Sequence, residues 1–159
     1  MNILITGANG FVGAHLTSLL KSQGHKLLLA TRNPLSLNNE SIATGDIDSF
    51  DQWDDYLKGI DVVIHLAAAV HRMGECNEAI YQRTNVDATV RLVESAIRCG
   101  VKRFIFLSSI KVNGEYTTEG RPFTASQNAE PVGAYAQSKW QAEQLLMSLA
   151  NKAALEVVI

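Results

Sequence analysis

Tyr135 and Lys139 stand four residues apart in the stretch Tyr135-Ala136-Gln137-Ser138-Lys139, which carries a helical pattern. Four residues along a helix bring two side chains to nearly one face, so a phenol and an ammonium would project into one cleft. A phenol, with a reference pKa of about 10, is a poor base near neutrality. A neighbouring cation favours phenolate and makes proton transfer feasible. The pair therefore suits acid–base chemistry. On its own the spacing carries little weight, because i, i+4 pairs are common on solvated helix faces. Its weight comes from a second motif at the other end of the chain.

That motif is Thr6-Gly7-Ala8-Asn9-Gly10-Phe11-Val12-Gly13, which follows an apolar run and opens a helical pattern. Strand, glycine loop and helix in this order are what a dinucleotide diphosphate requires. Gly7 permits the tight turn, Gly10 lets backbone N–H groups approach an anion without a Cβ in the way, and Gly13 lets helix and strand pack closely. Asn9, Phe11 and Val12 complete the loop, and the helix N-terminus then faces the anion. The spacing is T-G-x-x-G-x-x-G rather than G-x-G-x-x-G. NAD or NADP is the expected cofactor. At the end of the second strand a carboxylate would accept the adenosine ribose hydroxyls, whereas a basic group suits a 2′-phosphate. The residues there are Thr31-Arg32. Arg32 offers a bidentate fork, which leans the expectation to NADP, with a solvated strand-end arginine as the alternative.

Positioning these groups requires an α/β fold. Short apolar runs alternate with longer helical patterns from end to end, the signature of βαβ units on a parallel sheet. Strands are expected at Asn2–Thr6, Lys26–Ala30, Ser41–Thr44, Asp61–His65, Arg103–Ser108 and Leu155–Ile159. Helices are expected at Phe11–Gln23, Gln52–Leu57, a long one from about Asn77 to Cys99, and Tyr135–Asn151, with Gly24 and Gly100 as C-caps. The result is a Rossmann-type, doubly wound parallel sheet with helices on both faces, one nucleotide-binding domain over residues 1–159. Residues 113–133 carry Gly, Pro, Thr, Ser and Asn without periodicity and read as a functional loop over the site. The chain stops inside a strand-like run, which reads as a fragment that ends before a smaller C-terminal substrate domain; the alternative is that the sixth strand closes the domain.

Composition narrows the partners. The chain has 159 residues, 47% hydrophobic and 19% charged, in the range of a globular domain with one sizeable core. Fourteen basic against sixteen acidic residues give a net charge of -2, no footprint for nucleic acid or an anionic membrane. No stretch is long and apolar enough to span a bilayer, and no signal-like segment precedes the first strand. Cys76 and Cys99 have no metal-ligand or C-x-x-C spacing, so packing roles, a reduced compartment and the cytoplasm are expected, with no metal. His65, ending a buried strand, reads as a hydrogen-bonded core residue. His71, Arg72 and Lys111 follow strand carboxyl ends, where ligands bind in open sheets, yet read as ordinary surface residues. Trp53 and Trp140 read as packing aromatics.

With loop and Tyr-Lys pair in place, the chain resembles the extended short-chain dehydrogenase/reductase family, in particular its nucleotide-sugar epimerase, dehydratase and reductase branch, along essentially its whole length. Gly45-Asp46-Ile47 resembles the family's adenine-binding turn, with Asp46 accepting from the exocyclic amine and Ile47 packing on the ring. Val63-Ile64-His65-Leu66-Ala67-Ala68 is similar to its fourth strand, where Leu66, Ala67 and Ala68 let the cofactor lie close. Asn85 matches the asparagine that steadies the active site, and Ser109, in Phe106-Leu107-Ser108-Ser109, matches the catalytic serine. Val112-Asn113-Gly114 departs from the family's usual Val-Tyr-Gly, and Ser-Ser-Ile-Lys-Val-Asn-Gly-Glu looks like a sub-branch of bacterial UDP-N-acetylhexosamine enzymes. The resemblance implies that Ser109 positions a substrate oxygen, that Tyr135 moves its proton, that Lys139 also holds the nicotinamide ribose, and that hydride passes between substrate carbon and nicotinamide. The function implied is epimerisation or reduction at C4 of a UDP-linked hexose or N-acetylhexosamine, by a nucleotide-sugar enzyme for which a homodimer is compatible. A non-catalytic dinucleotide-sensing module is the alternative, which an intact Ser109, Tyr135 and Lys139 disfavour.

Overall fold

A computed structural model describes residues 1–33, 40–70 and 78–159. His71, Arg72 and Cys76 lie outside the described residues, as does Asn77, the expected start of the long helix.

Six parallel strands form one sheet: β1 (Asn2–Thr6), β2 (Lys26–Thr31), β3 (Ser41–Ala43), β4 (Val62–His65), β5 (Arg103–Phe106) and β6 (Glu156–Val158). Their order, β3-β2-β1-β4-β5-β6, is the doubly wound Rossmann arrangement, with its switch point between β1 and β4. All six expected strands are present. The fifth ends two residues early: Leu107 N–H still donates to the His65 carbonyl at 3.2 Å, but the chain then turns into a 3-10 turn, Ile110–Val112.

Alternation along the strands divides the core between the two faces of the sheet. Leu4, Val63, Phe104 and Phe106 point to one side, where they pack with Trp53, Leu92, Ala96, Ala142 and Leu146. These come from α2 (Trp53–Leu57), α4 (Ala88–Arg98) and α5 (Gly133–Ala150). Ile3, Ile5, Leu27, Leu29, Val62 and Ile64 point to the other, against Leu16 and Leu20 of α1 (Phe11–Ser22). Trp53 is fully buried and meets Phe50 edge-on at 4.6 Å, in line with a packing role. Both expected C-caps hold: Gly24 N–H donates to the Lys21 carbonyl and Gly100 N–H to that of Ile97.

The long helix differs from expectation in its interior. It opens as α3 (Glu78–Tyr81), widens into a π-helical segment over Gln82–Asp87, and resumes as α4. π segments are rare and concentrate at functional sites. The last helix starts at Gly133, which puts Tyr135 in its first turn. Among the described residues no helix is long and apolar enough to cross a membrane, and no cluster of three metal-ligating side chains occurs.

Candidate active site

The glycine loop has the geometry its sequence suggested. Gly7 turns the chain at φ +66°, and a Cβ there would lie 2.8 Å from the Ala67 nitrogen. A Cβ at Gly13 would lie 2.3 Å from the Gly7 carbonyl oxygen, so helix and loop touch backbone to backbone. The first N–H groups of α1 have no intrahelical acceptor. No side chain caps Gly10, and no acidic residue occupies the first turn. This is a cradle of free N–H groups at the positive end of a helix, and it fits a diphosphate.

The cradle opens into a cleft of about 540 Å³ lined by Gly7, Asn9, Gly10, Phe11, Val12, Gly13, Arg32, Ile47, Leu66, Ala67 and Ala68, all singled out in the sequence. Sequence reasoning missed Thr84, Val70 and Leu107, which also line it. A second cleft of about 340 Å³ shares Arg32, Ile47, Ala68, Val70 and Thr84 with the first and adds Asp46, Asp48, Tyr81 and Arg83. Residues 113–133, expected to cover the site, line neither. Arg32 Nε lies 3.0 Å from Asp46 Oδ1, and both side chains are exposed.

Asn85, Ser109, Tyr135 and Lys139 line neither cleft; Ser109 follows the carboxyl end of β5, Asn85 lies in the π segment, and Tyr135 and Lys139 lie on α5. The Tyr135 ring meets Tyr81 edge-on at 5.9 Å, and Tyr81 lines the smaller cleft. Asn85, inside the π segment, is 1% exposed. Its Oδ1 accepts from Ala69 N–H at 2.8 Å, while its Nδ2 donates to the Ala69 carbonyl at 3.1 Å and to Ser138 Oγ at 2.9 Å. The Ser138 hydroxyl in turn donates to the Tyr135 carbonyl at 2.7 Å. Asn85 thus ties the chain after β4 to the Tyr135 turn of α5. Ser109 caps the 3-10 turn, its Oγ accepting from Lys111 N–H at 3.3 Å. Lys111 Nζ is engaged by both oxygens of Glu115 at 3.0 Å, in line with its reading as a surface residue.

Comparison with known proteins agrees with this geometry. The model of the NAD dependent epimerase/dehydratase family matches residues 3–159. The chain belongs to that family. It is 41% identical to a UDP-glucose 4-epimerase of Vibrio cholerae, over 99% of this chain and 50% of that protein. It is 32% identical to the N-acetyl-alpha-D-glucosaminyl-diphospho-ditrans,octacis-undecaprenol 4-epimerase of Escherichia coli O157:H7, over 98% of this chain and 45% of the other. Among solved structures, MoeE5 in complex with UDP-glucose and NAD superposes with a TM-score of 0.87 at 34% identity, over 99% of this chain and 52% of that one. The chain spans about half the length of these relatives. Asn113, in place of the usual tyrosine, does not remove it from the NAD dependent epimerase/dehydratase family.

Two buried titratable groups set the electrostatics of this epimerase/dehydratase chain. Lys139 is 2% exposed, with Nζ 3.9 Å above the centre of the Phe106 ring. Burial pushes its ammonium from an ordinary 10.5 down to about 8, opposed by the negative charge of Glu143 one turn further along α5. Glu143 is itself held by a hydrogen bond from the Ser108 hydroxyl. Sequence reasoning passed over both, although Glu143 continues the Tyr135, Lys139 spacing by four more residues. His65 is fully buried, and burial first, then the Lys139 charge, pushes it down to about 3, so it is neutral at physiological pH. Both of its ring nitrogens meet hydroxyls, the hydrogen-bonded core role expected from the sequence.

Proposed function

We propose that the protein bearing this chain is a nucleotide-sugar 4-epimerase that uses NAD to act on C4 of a UDP-linked hexose or N-acetylhexosamine. Residues 1–159 are its cofactor-binding half, and further groups that grip the sugar lie outside this chain. The observation that carries the reading is Lys139: an ammonium held in the interior, one helical turn from Tyr135, on a fold with an open diphosphate cradle. A buried charge without a carboxylate in direct contact is costly, and such groups cluster at working sites. The similar relatives, described as UDP-glucose and N-acetylglucosaminyl-diphospholipid 4-epimerases, favour epimerisation over one-way reduction.

In this reading Gly7, Asn9, Gly10, Phe11, Val12 and Gly13 hold the diphosphate, Asp46 and Ile47 the adenine, Leu66 to Ala68 the wall beside the cofactor, steadied from behind by the hold of Asn85 on the Ala69 backbone, and Lys139 its nicotinamide ribose. When bound, the nicotinamide supplies the hydride acceptor. Tyr135 moves the proton of the sugar hydroxyl, with Lys139 supplying positive charge beside the phenol. Ser109 accepts from Lys111 N–H, and its own proton is left for a substrate oxygen. NADP was the expectation from Arg32. Two observations favour NAD: the similar MoeE5 structure holds NAD, and Arg32 faces the Asp46 carboxylate, whose charge would oppose a 2′-phosphate beside it.

The test is turnover of UDP-sugars by the complete protein and its Tyr135→Phe variant. The ring keeps its contact with Tyr81 while the proton relay is lost, so the rate should fall by about 10²–10⁴-fold with NAD affinity retained. Wild-type turnover in the variant would refute the mechanism, and binding of NAD without any sugar turnover by the wild type would turn the reading to a dinucleotide sensor.

A further inference from the structure

Thr6 ends β1, immediately before Gly7, and the sheet register sets it beside His65 of β4. The two side chains face each other in the interior, Thr6 Oγ1 at 2.6 Å from His65 Nδ1. On the other side of the ring, His65 Nε2 lies 2.9 Å from Thr89 Oγ1 in α4. Thr89 Oγ1 is also 2.8 Å from the Asn85 carbonyl, four residues back at the π segment.

Hydrogen-bond capacity fixes every proton in this chain. A carbonyl only accepts, so the single Thr89 proton goes to Asn85, and Thr89 can only accept from the imidazole. Nε2 therefore carries the proton of the neutral ring. Nδ1 is then the bare nitrogen, and the Thr6 hydroxyl donates to it. The Thr6 oxygen still accepts from Ala67 N–H at 3.2 Å, next to the wall of the larger cleft. No member has a spare donor or a missing acceptor.

We propose that His65 is a positioning residue that ties the glycine loop, through Thr6, to the π segment carrying Asn85, through Thr89, and so fixes the spacing between the cofactor cradle and the Tyr135 turn. The proposal rests on the functional reading above. His65 is 1% exposed and lines neither cleft, so it acts through its neighbours. It works through Asn85, whose amide reaches Ser138 and so the Tyr135 backbone. Asn85 is buried inside the π segment, and Thr89, in the first turn of α4, reaches back to hold the Asn85 carbonyl. Loss of the link should misplace the proton-transfer group more than it weakens cofactor binding.

The experiment uses the complete protein with Thr89→Val, which keeps the branched shape and removes the hydroxyl, and Thr89→Ser, which restores it. Thr89→Val should lower kcat by about tenfold or more with NAD affinity changed by less than about threefold, and Thr89→Ser should return kcat to within about threefold of wild type. Unchanged kcat in Thr89→Val, or equal losses in both variants, would overturn the proposal. Should Thr89→Val fail to fold, the nitrogen resonances of isotope-labelled histidine in the wild-type protein decide. A His65 ring protonated on Nε2 and bare at Nδ1 from pH 5 to 9 supports the chain, and any other tautomer or a charged ring overturns it. Tyr135→Phe runs alongside: full turnover in that variant would refute the functional reading, a result distinct from failure of the His65 link.

Discussion

Replacing Lys139 by methionine should make the protein more stable and inactive at once. The ammonium is 2% exposed and burial pushes it from 10.5 to about 8. At about 1.4 kcal/mol per pKa unit, holding it charged below pH 8 costs the fold about 3 kcal/mol. Methionine fills nearly the same volume and keeps a sulfur–aromatic contact with Phe106, but the cation–π contact, about 2 kcal/mol for a desolvated pair, is lost. The net gain is therefore about 1–2 kcal/mol at pH 7. Its pH dependence identifies the cause. Below pH 8 native and unfolded chains both carry the charge, and the penalty is fully present. Between 8 and 10.5 the native state sheds the proton while the unfolded chain keeps it, so the unfolded state binds more protons and wild-type stability rises with pH. Above 10.5 both forms are neutral and the advantage of Lys139→Met is gone. Urea unfolding of both proteins at pH 7 and pH 10.5 measures this difference, other titrating groups cancelling between them. A variant no more stable than wild type at pH 7, or an advantage that persists undiminished at pH 10.5, would refute the reasoning.

Gly10→Val should fold with some loss of stability, since the Gly10 backbone is extended (φ -73°, ψ 173°) but a Cβ there would lie 3.2 Å from the Gly7 carbonyl oxygen, and it should lose NAD binding by about a hundredfold or more as its side chain fills the diphosphate space; titration of a folded variant with undiminished affinity would count against the cradle. Asp46→Asn should raise the ratio of NADP to NAD affinity by about tenfold, because it frees the Arg32 guanidinium and removes a charge from beside the 2′-phosphate; any loss of adenine contact affects both cofactors alike, so an unchanged ratio would show that the Arg32–Asp46 pair does not set the choice.

The sheet and the glycine loop were legible because their causes are local. Apolar runs such as Val62–His65 declare strands, and each loop glycine answers to a turn or a backbone contact within a few residues. The π segment was not legible. One extra residue in a turn hardly disturbs a helical pattern of apolar positions, and the partners that hold it come from β4, its following loop and α5. The Arg32–Asp46 pair escaped for a similar reason: each residue was read against an absent ligand, while their proximity depends on β2 and β3 being neighbours in the sheet. Tyr135 and Lys139 were found by spacing, but the near-complete burial of Lys139 was not, since an i, i+4 pattern does not say which face of α5 turns inward.

His65 and Lys139 are neighbours with opposite requirements, and the threonine chain reconciles them. A protonated His65 would place a second cation near Lys139 in the interior, where each would disfavour the charge of the other. The hydrogen bonds forbid that state independently of the electrostatics. With protons on both ring nitrogens, Thr6 would have to accept from Nδ1 as well as from Ala67 N–H, and its own proton would lose its acceptor. The neutral tautomer satisfies every group, so the strand end beside the lysine stays uncharged. Among the described residues Lys139 then meets one net charge, the Glu143 carboxylate, and that charge favours the protonated form. The same histidine that links Thr6 to Thr89 thus stays neutral near Lys139, which carries its charge one helical turn from Tyr135 along α5.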